Sequence, residues 1–278
     1  YGYIDTSKIE TENSDYSDWL PSFNLALNLS ENVILRMSAA KVISRPNYTF
    51  LNPAANIPSS NSGAASINIT RGSIKLDPYR ATQADIGVEW YFNEESLLSA
   101  TLFNKDIRSF IVAGANESRI QANGTTYIVS EPGQGLGGQI QGVEGQYQQQ
   151  MGAFGWSANV TYTEGIGIVE RPLSGLSKLS YNLSAYYEND LFSARAAYTY
   201  RDSFISPSTG IGGDTNWDSY GIFDVNATWH ATENLDVSLE ATNLFEETTT
   251  QRFGSGFTAM RLAADNGRNV FLKVSYRL

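Results

Sequence analysis

Gly267-Arg268-Asn269-Val270-Phe271-Leu272-Lys273-Val274-Ser275-Tyr276-Arg277-Leu278 closes the chain, and its alternation decides how the rest is read. Val270, Leu272, Val274, Tyr276 and Leu278 fall on one face of an extended segment. Asn269, Lys273, Ser275 and Arg277 fall on the other, with Phe271 the exception. Successive side chains of a strand point to opposite faces, so a period of two describes a ribbon with one apolar side and one charged, polar side.

The same period runs upstream. Phe23, Leu25, Leu27 and Leu29 share one face; Val33, Leu35, Met37 and Ala39 oppose Arg36 and Ser38. Ala84, Ile86, Val88, Trp90 and Phe92 oppose Asp85, Gly87, Glu89 and Tyr91. Further alternating runs begin at Val143, Phe154, Leu179, Phe192, Phe223 and Leu235, and a strand with two partly apolar sides runs from Leu97 to about Ile111. Tight turns such as Ser30-Glu31-Asn32, Asn93-Glu94-Glu95-Ser96 and Thr232-Glu233-Asn234 alternate with long, irregular segments at about 44–79, 112–138, 165–177, 203–217 and 246–267. Counted back from Leu278, every tight turn falls at the same end of the sheet. A soluble meander has no reason to sort its connections by length. A barrel that spans an outer membrane does, with short periplasmic turns and long external loops. Charge is sorted as well. Arg36, Glu89, Glu144, Arg195, Asp224, Glu240 and Lys273 share the polar face, as expected when an Arg or Lys turned to lipid at the midplane costs about 2–4 kcal/mol. The rival reading, a soluble β-sandwich, also alternates but has no need of strands this long.

Composition bounds the choice. The chain has 278 residues, net charge -10, no cysteine and one histidine. No run approaches the ~18 consecutive apolar residues of a membrane helix. That limit does not touch barrel strands, which are about 10 residues long and alternate. The 16 Tyr and 5 Trp supply rings with one apolar and one wet side, as membrane interfaces use. The acidic balance argues against nucleic acid as partner, since phosphate binding needs a basic surface. Tyr1-Gly2-Tyr3-Ile4 reads as the end of a strand already under way, followed by an acidic surface loop with Asp5, Glu10, Glu12, Asp15 and Asp18. The chain is expected to be a piece of something longer.

With the loops placed, specific motifs emerge. Ser44-Arg45-Pro46, Asn52-Pro53 and the run Leu76-Asp77-Pro78-Tyr79-Arg80-Ala81-Thr82-Gln83-Ala84-Asp85-Ile86-Gly87-Val88-Glu89-Trp90-Tyr91-Phe92 resemble the mid-barrel signature of TonB-dependent outer-membrane receptors. Ala241-Thr242-Asn243-Leu244-Phe245 resembles that family's Asn-Leu-Phe at the end of the penultimate strand. The resemblance implies an all-β fold, a transmembrane antiparallel β-barrel of about 22 strands around an N-terminal plug. Residues 1–278 would be its C-terminal portion, with the plug and the first barrel strands absent. Tyr276 and Leu278 would carry the assembly signal, although Leu278 stands where the family usually has Phe, and Lys273 where it often has Gly. The resemblance further implies residence in a bacterial outer membrane. The implied partners are its lipid, the barrel assembly machinery, the plug and remaining strands, the TonB complex reached through the missing N-terminal part, and a small-molecule substrate.

Catalytic chemistry is sparse. His230 is the single histidine, so no histidine-based metal site is expected, and no cofactor is implied. A His beside a Ser on the lipid side would fit a membrane-embedded hydrolase, but the register turns His230 to the polar side near the periplasmic end. Gly133-Gln134-Gly135-Leu136-Gly137-Gly138 lacks the Lys-Ser/Thr partner and helix of a phosphate cradle. The expected function is a receptor, not an enzyme: it binds a scarce external substrate and imports it with TonB-coupled energy. A passive porin-like channel is the alternative. Recognition is expected in the loops at about 46–79, 112–137, 203–217 and 246–267. Tyr48, Phe50, Phe204, Trp217 and Phe253 offer rings that stack on sugars; Arg71, Arg119 and Arg252 offer charges that pair with the anionic groups of ferric siderophores. Ser44-Arg45-Pro46 with Glu89-Trp90-Tyr91-Phe92 resembles receptors of carbohydrate-scavenging proteobacteria, which tilts the expected substrate to an oligosaccharide over a ferric siderophore.

Overall fold

The alternating runs fold as strands. A computed structural model describes residues 13–54, 66–122, 125–167, 173–206, 214–253 and 255–277. Leu278, Tyr1-Gly2-Tyr3-Ile4, Asp5, Glu10 and Glu12 lie outside the described residues. In chain order the strands are β1 (Ser22–Ser30), β2 (Val33–Ser44), β3 (Ser66–Thr70), β4 (Tyr79–Asn93), β5 (Ser96–Ile107), β6 (Ile111–Ala122), β7 (Thr125–Gln134), β8 (Gly138–Met151) and β9 (Phe154–Gly167). They continue as β10 (Leu179–Glu188), β11 (Phe192–Arg201), β12 (Phe204–Ser206), β13 (Thr215–Trp217), β14 (Tyr220–Thr232), β15 (Leu235–Thr242), β16 (Thr248–Phe253), β17 (Ala259–Asp265) and β18 (Asn269–Tyr276). Eleven form one antiparallel sheet in the order β1-β2-β4-β5-β8-β9-β10-β11-β14-β15-β18, with β1 and β18 at its edges.

Short turns join alternate pairs in that sheet, and the last strand residue often closes them. Asn93 Oδ1 accepts from the Glu95 amide (3.0 Å), and Asn189 Oδ1 from the amides of Leu191 (2.9 Å) and Phe192 (2.7 Å). Thr232 Oγ1 and Ser30 Oγ do the same two residues on, at 3.3 and 3.4 Å. These side chains mimic a backbone turn, which is why Asn, Ser and Thr sit there. The turn between β8 and β9 instead uses Gly152 at φ 60.

The chain divides into two compact units: Tyr1–Ser22 with Ala40–Gln83 and Lys105–Gln139, and Phe23–Ala39 with Ala84–Asn104 and Ile140–Leu278. In the second unit the pairing aligns whole rows of one chemistry. Trp156, Ala185, Ala196, Val225, Ala241 and Val270 stand side by side on successive strands. So do Phe154, Tyr187, Ala194, Ala227, Leu239 and Leu272. Between them runs a second kind of row, with Arg195, Asn226 and Glu240, flanked by Asp224 and by Lys273 opposite Ser238. The apolar rows are the exposed ones: Trp90 is 48% exposed and Leu272 71%. The polar face is mixed: in one ion pair the Glu89 side chain is 23% exposed and the Arg36 side chain 54%. A water-soluble protein seldom exposes contiguous rows of large apolar side chains. Tyr181 with Tyr198 and Tyr200 toward one end of the apolar face, and Phe154 with Tyr187 toward the other, make paired ring clusters of the kind that line membrane interfaces.

The long connections correct the sequence reading. They are not irregular throughout. In the first unit β3, β7 and β6 form a small sheet, β3 parallel to β7, around buried Ile69 and Val129. In the second unit β12, β13, β16 and β17 form another. The strand expected from Leu97 to about Ile111 stops at Ile107, and Ile111 begins β6.

Candidate functional site

In the first unit a single helical turn, Tyr48–Leu51, presents two of the expected rings. Asn47 starts it, its Oδ1 accepting from the Thr49 amide at 3.0 Å. Tyr48 is 87% exposed, and Phe50 is half-buried. The turn is pinned from behind. The Gly72 amide donates to the Asn52 carbonyl and the Ser73 amide to the Phe50 carbonyl, both at 2.7 Å. A Cβ at Gly72 would lie 2.5 Å from both carbonyl oxygens, so only glycine fits. Arg71 pairs with Glu131 on β7, and its amide donates to the Ser130 carbonyl at 3.2 Å. Arg119 reaches Glu117 at 3.4 Å, with both side chains exposed.

A second cluster in this unit fastens residues 16–18. Arg80 forks onto Asp18 (Nε to Oδ1 2.7 Å, Nη2 to Oδ2 3.2 Å) and donates to Asp77 at 3.2 Å. Its guanidinium lies 6.0 Å from the Tyr16 ring centre, and the Tyr16 hydroxyl accepts from Arg45 Nε at 2.9 Å. The hydrogen bond from Arg80 holds the Asp18 carboxyl below its ordinary range.

In the second unit the small sheet gathers four expected residues. Phe204 on β12 faces Trp217 on β13, their rings stacked at 6.2 Å. The Arg201 guanidinium lies 3.8 Å from the centre of the Phe204 ring. Arg252 and Phe253 on β16 pair with Asn216 and Thr215 on β13. Arg252 Nε donates to Asp218 Oδ2 at 2.6 Å, and Gln251 Nε2 to the buried Thr215 hydroxyl at 2.9 Å. The sequence reading missed Asp218, Glu131 and Arg201, the partners of three site residues. Asp218 and Arg201 lie within three residues of Trp217 and Phe204, which was the only available signal.

At the end of β15 each member of Asn243-Leu244-Phe245 has a task. Asn243 takes a left-handed backbone, φ 52. Its Oδ1 accepts from the Glu247 amide (2.8 Å), and its Nδ2 donates to the carbonyls of Glu247 (3.1 Å) and Gly267 (3.2 Å). The Leu244 amide donates to the Phe223 carbonyl at 2.8 Å, and the Phe245 ring stacks on Phe223 at 5.1 Å. The motif turns the chain out of the sheet and clamps the start of the loop.

The model of the TonB dependent receptor-like beta-barrel family matches residues 2–244. The chain belongs to that family. These are receptors and transporters of the Gram-negative outer membrane rather than enzymes. The receptor barrel is also similar in fold to solved structures: a ferric enterobactin receptor mutant from Pseudomonas aeruginosa (19% identity, TM-score 0.68), the siderophore receptor PirA from Acinetobacter baumannii (20%, 0.69) and the copper transporter OprC (17%, 0.62). The first two alignments cover 93% of this chain and the third 90%, against 40%, 41% and 37% of the respective structures. The chain thus spans about two fifths of their length. No curated protein matches the sequence significantly.

In a barrel of this family the apolar rows face lipid and the polar rows face the lumen. Tyr276 lies on an exposed apolar row of β18, opposite Leu235. His230 lies on the polar face, where its Nδ1 is 2.8 Å from Asp236 Oδ1 and Arg277 donates to Asp236 Oδ2 at 3.3 Å. It is not turned to lipid beside a Ser.

Proposed function

We propose that the chain is the C-terminal portion of the barrel of an outer-membrane receptor that binds a scarce external substrate and imports it to the periplasm with TonB-coupled energy. The plug and the first barrel strands belong to the rest of the protein. The carrying observation is that β12, β13, β16 and β17, in the connections after β11 and after β15, form a sheet of their own that carries Phe204, Trp217, Arg252 and Phe253. A passive channel gains nothing from an ordered aromatic surface there.

The substrate favoured is an oligosaccharide. Arg71 and Arg252, the charges that would receive an anionic chelate, are already paired with Glu131 and Asp218. Trp217 is half-buried and stacked on Phe204, a ring platform of the kind a sugar packs against. Tyr48 offers a second exposed ring. The test is uptake by cells carrying the full receptor with Trp217→Ala or Arg252→Ala, at equal surface expression. Loss with Trp217→Ala alone supports an oligosaccharide. Loss with Arg252→Ala alone points to an anionic chelate, and wild-type uptake in both puts recognition elsewhere.

A further inference from the structure

We infer that the lipid-facing side of the sheet carries a docking groove for one membrane phospholipid whose head group bears an ammonium. The pairing of β9, β10, β11, β14 and β15 sets Phe154, Tyr187, Ala194, Ala227 and Leu239 in one row. The small members stand between the large ones, and Ala185 continues the floor along β10. The result is an apolar groove of about 410 Å³, floored by alanines and walled by Phe154 and Tyr187 on one side and Leu239 on the other. That volume is in the usual range of small-molecule sites, about 300–1,000 Å³. The five strands are interior to the sheet, and the row faces away from the lumen. Neither a plug nor the strands that extend the sheet beyond β1 and β18 reach this groove. Its occupant is a molecule of the bilayer.

Depth selects the leaflet. Tyr187 is the last but one residue of β10, and Ala194 the third of β11. At about 3.3 Å per residue both lie within about 10 Å of the turn that joins these strands. The apolar band of an outer-membrane barrel is about 25 Å tall. The groove therefore lies in the periplasmic half of the wall, where the tail of an inner-leaflet lipid runs.

The end of the groove sets the head group. The Phe154 and Tyr187 rings pack at 4.7 Å, and Asn189 Nδ2 donates to the Tyr187 hydroxyl at 2.6 Å. That bond fixes the polar tip of one wall at the turn and leaves the hydroxyl's own hydrogen for a phosphate or ester oxygen. Beyond it the periplasmic turns carry Glu31, Glu94, Glu95, Glu188, Asp190 and Glu233, all exposed, and no Lys or Arg. Asp190 and Glu233 stand in the two turns below the groove. Carboxylates there attract an ammonium and repel a head group of net negative charge. Phosphatidylethanolamine, with one phosphate and one ammonium, fits; phosphatidylglycerol, with the same phosphate and no ammonium, does not. The inference is independent of what the receptor imports.

The experiment is native mass spectrometry of the full-length receptor in detergent with an equimolar mixture of these two lipids, their acyl chains identical. Wild type is expected to retain one lipid, phosphatidylethanolamine over phosphatidylglycerol by about threefold, the scale of exposed ion pairs. Ala194→Phe fills the floor with a ring that faces lipid, so the barrel should keep its heat-modifiable shift on gels and lose the bound lipid. Asp190→Asn with Glu233→Gln should keep the lipid and lose the preference. Equal retention of the two lipids by wild type overturns the inference, as does a preference that survives in the double variant. Lipid retention unchanged in Ala194→Phe overturns it by placing the lipid elsewhere. A dimer that Ala194→Phe dissociates overturns it too, and gives the groove to a second copy of the chain.

Discussion

Asn243 Nδ2 donates to the Gly267 carbonyl at 3.2 Å, so one side chain at the end of β15 holds the chain where it returns to β18. The connection between them, with β16 and β17, therefore leaves and re-enters the sheet at one fixed point. Asn suits the position twice over. It tolerates φ 52 better than most residues, and its amide both donates and accepts.

Asn243→Ala is expected to lower the stability of the full receptor by about 1–3 kcal/mol, since it strands buried backbone groups and strains the backbone. Asn243→Asp should cost less, because it keeps the acceptor for the Glu247 amide. Urea unfolding in detergent, read by the heat-modifiable shift on gels, measures both.

The rows of the sheet predict opposite outcomes at neighbouring positions. Leu239, paired with Ala227 and Leu272, faces lipid, while Glu240, paired with Asn226, faces the lumen. Leu239→Arg is expected to cost about 2–4 kcal/mol, as for a cation near the bilayer midplane. Glu240→Arg should be close to neutral. Unfolding midpoints in lipid vesicles compare them, and equal losses would mean that the faces have been misassigned.

Gly72→Ala should disturb a loop without touching the sheet. The added methyl meets backbone atoms of Phe50 and Asn52, which cannot rotate away. The expected cost is about 1–3 kcal/mol, confined to residues 47–54 and 66–76. Hydrogen exchange followed by mass spectrometry should show faster exchange there and none at β14 or β15.

Acid should release residues 16–18. The Asp18 carboxyl is depressed by Arg80, so its contribution is fully present above the ordinary carboxylate range, near pH 4. It is lost as pH falls through the lowered value. Limited proteolysis between Ser14 and Leu20 by an acid protease should rise below pH 4 in wild type. In Asp18→Asn it should be raised already and show no such step.

Much of this architecture was legible in the sequence, and for a simple reason. A strand in a membrane wall has lipid on one side and a polar lumen on the other, so its period of two is nearly unbroken. Arg195, Glu240 and Lys273 could be put on one face, and Leu239 and Leu272 on the other, by counting alone. Short turns announced themselves through Ser30, Asn93 and Thr232 for an equally local reason: the residue that closes the turn is part of it.

Tertiary structure alone decided the rest. Several strands within the loops are only three to seven residues long, and some of the partners are far along the chain: Ile69 meets Val129, and Thr215 meets Phe253. No local period can report such pairings, because each is stabilised only once the two segments meet. The same holds for the state of the charges. Arg71 and Arg252 carry no mark of their partners in the sequence. Folding pairs them with Glu131 and Asp218, because only three-dimensional placement determines which carboxylates come within reach of a guanidinium.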